Sequence, residues 1–124
     1  RACEAEGADG LSLINTVTAM RIDLKTRKPV LANGTGGLSG PGIFPLALRM
    51  VWQVCKAVHI PVIGMGGVAE VDDILEMVLA GASAVQVGSA NLIRPTACRD
   101  LVLALPQRMD ELGIKNLQEI RGAV

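Results

Sequence analysis

Aromatic side chains are almost missing: one Trp, one Phe and no Tyr among 124 residues. Such a chain has no platform on which nucleic-acid bases could stack. Charge of one sign is missing too, because 12 basic residues face 12 acidic ones for a formal net charge of zero. No basic stripe or acidic tail appears either, which argues against a nucleic-acid partner and against an anionic membrane surface. No apolar run approaches the ~20 residues of a membrane span. The opening "RACEAEGADG" lacks the apolar segment of a secretory signal. Histidine occurs once, as His59 before "IPVIG", at a helix-to-strand junction where a loop residue is expected and not a ligand. With no partner in register for it, a Ser-His-Asp triad is excluded. The three cysteines, Cys3, Cys55 and Cys98, are odd in number and form no C-x-x-C. A disulfide framework and a zinc site are therefore not expected, a reducing cytoplasm is, and the thiols are expected as small buried hydrophobes.

What the chain does have is apolar residues, half of the total, and 14 glycines. Three short runs, 10–16 (GLSLINT), 60–66 (IPVIGMG) and 82–88 (ASAVQVG), are rich in Val, Ile or Leu and read as strands. Helical periodicity lies between and after them. In "FPLALRMVWQVCKAV", Ala47, Met50, Val51, Val54 and Val58 form one stripe, with Pro45 suited to a first turn. In "EVDDILEMVLAG", Val71, Ile74, Leu75 and Val78 do the same, with Asp72 and Asp73 at the positive end of the dipole and Gly81 as the stop. Residues 95–113 are predicted helical with a break near Pro106, and "NLQEIRGAV" as a short terminal helix.

Strands alternating with helices predict a parallel sheet. "GADGLSL" and "GASAVQV" echo each other, as if one helix stop fed one kind of strand twice. Three parallel strands alone leave two unpaired edges, and a (βα)8 barrel takes ~250 residues. The expected fold is thus α/β: a partial TIM barrel of the last three βα units plus the end of the preceding helix, with residues 1–124 as the carboxyl-terminal half of a single domain. "RACEAEG" reading as the close of a helix fits that expectation.

The stretch "VIGMGGVAE" has three glycines in four positions. Bare backbone there admits another chain segment, a phosphate, or only a tight turn. The match to G-x-G-x-x-A suggests a dinucleotide site, which requires an acid at the end of the next strand. That strand is followed by Ser89, Ala90 and Asn91, with no acid, which argues against it. Gly88 and Ser89 instead make a second glycine turn after the next strand. Two successive βα turns with free N–H groups favour a phosphate held by Gly66, Gly67, Gly88 and Ser89. Asn15 and Thr16 end the first strand, where both side chains can hydrogen-bond a planar polar ligand. The Gly-rich 31–45 connection is expected as a binding loop or a merely flexible one, with Gly40-Pro41 letting the main chain pass close to a ligand.

Taken together, "GADGLSLINT", "DLKTRKPVLANGTGGLSGPGIFPLALRMV", "IPVIGMGGV", "DILEMVLAGASAVQVGSAN" and "LPQRMDELGI" resemble the carboxyl-terminal half of dihydroorotate dehydrogenase, NAD-linked bacterial class. The resemblance covers nearly the whole chain. It implies a (βα)8 barrel with FMN at the carboxyl ends of its strands, oxidising dihydroorotate to orotate in pyrimidine biosynthesis. It implies Ile14 and Gly40 against the flavin, Gly66, Gly67, Gly88 and Ser89 on its phosphate, and Asn15 and Thr16 on the substrate. It places the catalytic base, a cysteine, outside these 124 residues, so that no catalytic residue is expected here and the chain alone is expected to be inactive. It also implies a homodimer and an electron-transfer partner subunit carrying FAD and an iron–sulfur cluster. A dihydropyrimidine dehydrogenase-type barrel, a phosphate-handling barrel without flavin, and a non-catalytic half-barrel share the same glycine turns and stay open at this point.

Overall fold

A computed structural model describes residues 1–124. In chain order the elements are α1 (Ala2–Ala5), β1 (Leu11–Leu13), β2 (Val17–Ala19), β3 (Ile22–Asp23), β4 (Lys28–Pro29), β5 (Gly36–Leu38), a 3-10 turn (Pro41–Ile43), α2 (Phe44–Cys55), β6 (Val62–Met65), α3 (Val71–Leu79), β7 (Ala84–Gln86), α4 (Ala90–Ile93), α5 (Ala97–Glu111) and α6 (Leu117–Ile120). The three expected strands are β1, β6 and β7. They form one parallel sheet with β6 in the middle, paired Leu13↔Gly64 and Gly64↔Val85.

Because strand side chains alternate, the register sorts the sheet into two faces. Leu11, Leu13, Val62, Gly64 and Val85 share one face and belong to or pack against the main core with Phe44, Ala47 and Val51 of α2 and Met77 of α3. Ser12, Ile63, Met65, Ala84 and Gln86 share the other, and Ser12, Ala84 and Gln86 there are exposed. Both outer strands keep an unpaired edge.

The sequence echo has a common physical cause. The helices before β1 and β7 stop in the same way: Gly7 and Gly81 take positive φ (+89° and +112°), and the following N–H groups of Ala8 and Ala82 reach back to Cys3 and Met77. These are Schellman stops, which satisfy carbonyls that a helix end leaves unpaired.

Three expectations are corrected. Helix α5 runs unbroken through Pro106. Pro106 is exposed, and so is Val102, the residue whose carbonyl loses its helical donor to the proline ring. The cysteines are not buried: Cys3 and Cys98 are exposed and Cys55 is half-buried, its thiol pushed up by desolvation. The connection between β1 and α2 is more ordered than a loop. It folds into two antiparallel ribbons, β2–β5 and β3–β4, the latter closed by Asp23, whose carboxylate accepts the N–H groups of Lys25 and Thr26. His59 is an exposed loop residue, as expected, and its N–H donates to Glu4.

Helix α5 is strapped to α3 by a two-pronged pair: Arg108 Nε and Nη2 donate to Asp72 at 2.7 and 2.9 Å, and Nη1 donates to Glu111 at 3.0 Å. The guanidinium holds the Asp72 and Glu111 carboxyls below their ordinary range. A carboxylate whose folded pKa is depressed contributes fully above its unfolded pKa and loses the contribution as pH falls through the folded one. Asp72→Asn is therefore expected to lower the urea midpoint slightly at neutral pH and to shrink its fall on acidification below about pH 4, the ordinary carboxylate range. An unchanged acid limb in the variant would show that the strap carries no stability. The effect is small because both partners are solvated.

Candidate functional site

The carboxyl ends of the three parallel strands open on one cleft of about 660 Å3. Each strand supplies one stretch of its wall: Ile14, Asn15 and Thr16 after β1, Met65, Gly66 and Gly67 at the end of β6, and Gln86, Val87, Gly88 and Ser89 at the end of β7. Ser39, Ile43 and Leu92 complete it. No residue of the lining carries a charge. Seven of the eight residues singled out from the sequence therefore meet in one place. Gly40 does not line it and sits buried behind the wall.

The two glycine turns differ in why they are bare. At Gly67, φ is +78°, and a Cβ built there would stand 2.6 Å from the Phe44 nitrogen and 2.8 Å from the Gly40 carbonyl oxygen. Chain-on-chain packing thus requires this glycine: the start of α2 presses on the β6–α3 turn. Gly66 is similar, its Cβ falling 2.8 Å from the Ala47 Cβ and 3.1 Å from Ile14 Cγ1. Gly88 is the opposite, with nothing within 4 Å of an added Cβ and no positive φ. Its missing side chain leaves open cleft and relieves no contact within the protein.

The polar inventory of the cleft is mostly backbone. The N–H groups of Gly66, Gly67, Gly88 and Ser89 donate to no protein atom. The acids that follow the first turn are turned to other work. Asp73 closes a capping box, its carboxylate accepting Ala69 N–H at 2.8 Å and Glu70 N–H at 2.9 Å, and Asp72 holds Arg108. Negative charge near the turns is thus bound to donors of its own, and the four free N–H groups present an uncompensated positive edge. Asn15 and Thr16 are exposed at the rim, and Ile14, nine-tenths buried, forms part of the apolar floor.

The family model for dihydroorotate dehydrogenase matches residues 1–109. The chain belongs to the dihydroorotate dehydrogenase family. It is 61% identical over 121 residues to the protein named dihydroorotate dehydrogenase B (NAD(+)), catalytic subunit, of Listeria monocytogenes, and 58% identical over 122 residues to the one of Exiguobacterium sibiricum. Each match covers 98% of this chain and 40% of the relative, so the chain spans well under half the length of these curated relatives. Among solved structures, a dihydroorotate dehydrogenase from Eimeria tenella in complex with ferulenol superposes with a TM-score of 0.77 at 27% identity, covering 98% of this chain and 32% of that one. The fold is α/β of the TIM-barrel type. No helix is long and apolar enough to cross a membrane.

Sequence reasoning missed several wall residues of this family member: Ser39, Ile43, Met65, Gln86, Val87 and Leu92. Met65, Gln86 and Val87 were legible in principle, because each belongs to a strand's last residues, where barrel sites gather. Ser39 and Ile43 were not, since their position depends on how the 31–45 segment folds back over β6.

Proposed function

We propose that this chain forms the FMN-phosphate and substrate wall of a dihydroorotate dehydrogenase, oxidising dihydroorotate to orotate in pyrimidine biosynthesis. Four free N–H groups on two adjacent βα turns, opening on one uncharged cleft, are the observation that carries this reading. A flavin phosphate supplies the acceptors those donors lack, and the vacant space at Gly88 lets it approach the backbone. Bound FMN would serve as the two-electron acceptor of the reaction.

Each residue has its part. Gly66, Gly67, Gly88 and Ser89 hold the phosphate by main-chain donation. Ile14 supplies apolar surface against the flavin ring, and Gly40, buried behind the wall, acts on the site indirectly by seating the Gly67 turn. Asn15 and Thr16 orient the substrate, since an amide both donates and accepts and so matches a planar ring bearing C=O and N–H groups. No proton-transfer role is assigned to the cysteines: Cys3 and Cys98 are exposed away from the wall, and Cys55 lies in α2.

The unpaired outer edges of β1 and β7 and the sheet face without a helix layer support the finer fold proposal. All-parallel sheets are ordinarily covered on both faces or closed on themselves. We read residues 1–124 as one part of a single FMN-binding (βα)8 domain, contributing three of its strands. In the NAD-linked class this implies a homodimer and a partner subunit carrying FAD and an iron–sulfur cluster.

The test uses the intact protein bearing this sequence, reconstituted with FMN. Anaerobic dihydroorotate is expected to bleach the flavin absorbance, and a protein that takes up no FMN overturns the reading. Gly88→Val sharpens the test. Because nothing crowds the position, its unfolding free energy from urea denaturation should stay within ~0.5 kcal/mol of wild type. Its FMN affinity should fall by about tenfold or more as side-chain atoms enter the phosphate's place, a loss of ~1.4 kcal/mol. Unchanged affinity in a fluorescence titration refutes the placement.

A further inference from the structure

The Gly88–Ser89 turn is steered by a side chain the cleft does not contain. Asn91 Nδ2 donates to the Val87 carbonyl at 2.8 Å, its Oδ1 accepts the Cys98 N–H at 3.3 Å, and Nδ2 also lies 3.3 Å from Cys98 Sγ. No other protein donor reaches the Val87 carbonyl. That carbonyl and the Gly88 N–H belong to one peptide plane, and in a trans peptide they point in opposite directions. Holding the carbonyl toward Asn91 therefore fixes the direction in which the Gly88 N–H points, and this N–H has no protein acceptor. The other end of the amide is anchored on an N–H in the first turn of α5, one of the donors a helix start leaves free.

We propose that Asn91 is a positioning residue that aims the Gly88 N–H at the flavin phosphate by clamping the Val87–Gly88 peptide between β7 and α5. The inference rests on the phosphate reading above. It requires a side chain that donates and accepts at once. Alanine removes both bonds. Aspartate keeps the shape and the Cys98 bond but sets a carboxylate against the Val87 carbonyl. With the peptide free to rotate, the phosphate loses a directed, charge-assisted donor while the ring's own contacts stay.

The readout is the ratio of FMN to riboflavin affinity, since riboflavin has the same ring and no phosphate. In the intact wild-type apoprotein, FMN is expected to bind far more tightly. Asn91→Ala and Asn91→Asp should each reduce the ratio by about tenfold, the weight of one hydrogen bond to a charged group, with riboflavin affinity nearly unchanged. A wild-type ratio retained in Asn91→Asp, the variant that preserves shape if Asn91→Ala fails to fold, overturns the proposal. Equal loss of both flavins overturns it too, since that marks a general packing role. A wild type that does not prefer FMN over riboflavin refutes the phosphate reading itself and is thereby told apart from failure of the Asn91 proposal alone.

Discussion

Alanine at position 67 is expected to cost the folded protein about 2–5 kcal/mol, the sum of placing a side chain at positive φ and overpacking a closed contact. The geometry permits no cheap relief. The added Cβ lands 2.6 Å from the Phe44 nitrogen and 2.8 Å from both the Phe44 Cα and the Gly40 carbonyl oxygen, all main-chain atoms. A flexible side chain could swing aside, whereas a helix start cannot without moving α2. Phe44 and Ala47, at that start, are core residues, so a shift there loosens the packing on β6. Urea denaturation of the intact protein checks the value. A loss below ~1 kcal/mol would mean that the α2–turn contact is softer than the distances say, since surface changes away from such contacts stay within ~0.5 kcal/mol. FMN affinity should fall as well, but at Gly67 that fall mixes altered packing with blocked phosphate approach. The Gly88→Val variant separates the two, because its position is uncrowded.

This contrast shows how far the residues spoke for themselves. The glycine clusters and their place after two strands were legible, because strand-ending apolar runs and helix stops follow local rules. The resemblance carried the residue roles, and the cleft assembles seven of the eight named positions. Which glycine is bare for the chain and which leaves open cleft was not legible, since it depends on the Gly40–Phe44 segment folding onto the β6–α3 turn. The paired ribbons of 17–38 escaped for a similar reason. β3 and β4 have two residues each, too short for any periodicity, and their closure rests on Asp23 capturing two N–H groups. Asn91 also hid in plain view: as a sequence letter it marked the absence of an acid, and only its bonds to Val87 and Cys98 give it work.

Met77→Ala is expected to destabilise the protein by about 2–5 kcal/mol, as buried Met truncations do where the site cannot collapse. Met77 is fully buried, one of the two largest side chains wholly removed from solvent. Its position explains why the strand that leads to the site has a glycine in its middle. A Cβ on Gly64 would meet Met77 Sδ at 2.9 Å, Met77 Cγ at 3.5 Å and Ala82 Cβ at 3.4 Å, so α3 lays its thioether across β6 where the strand has no side chain. Gly64→Ala alone should therefore cost free energy, since the sulfur must move inside a filled core. In the Met77→Ala background the same methyl enters the vacated space, and its cost should shrink or reverse sign. The double-mutant cycle is expected to show a coupling of about 1 kcal/mol or more, within the range for residues in direct contact. Additive effects would mean that the two positions do not share this space. Because β6 ends in the Gly66–Gly67 turn, the single Met77→Ala variant should also weaken FMN, and Gly64→Ala placed on top of it should restore part of that affinity. Recovery of stability without recovery of binding would sever the link between the α3–β6 packing and the phosphate turn.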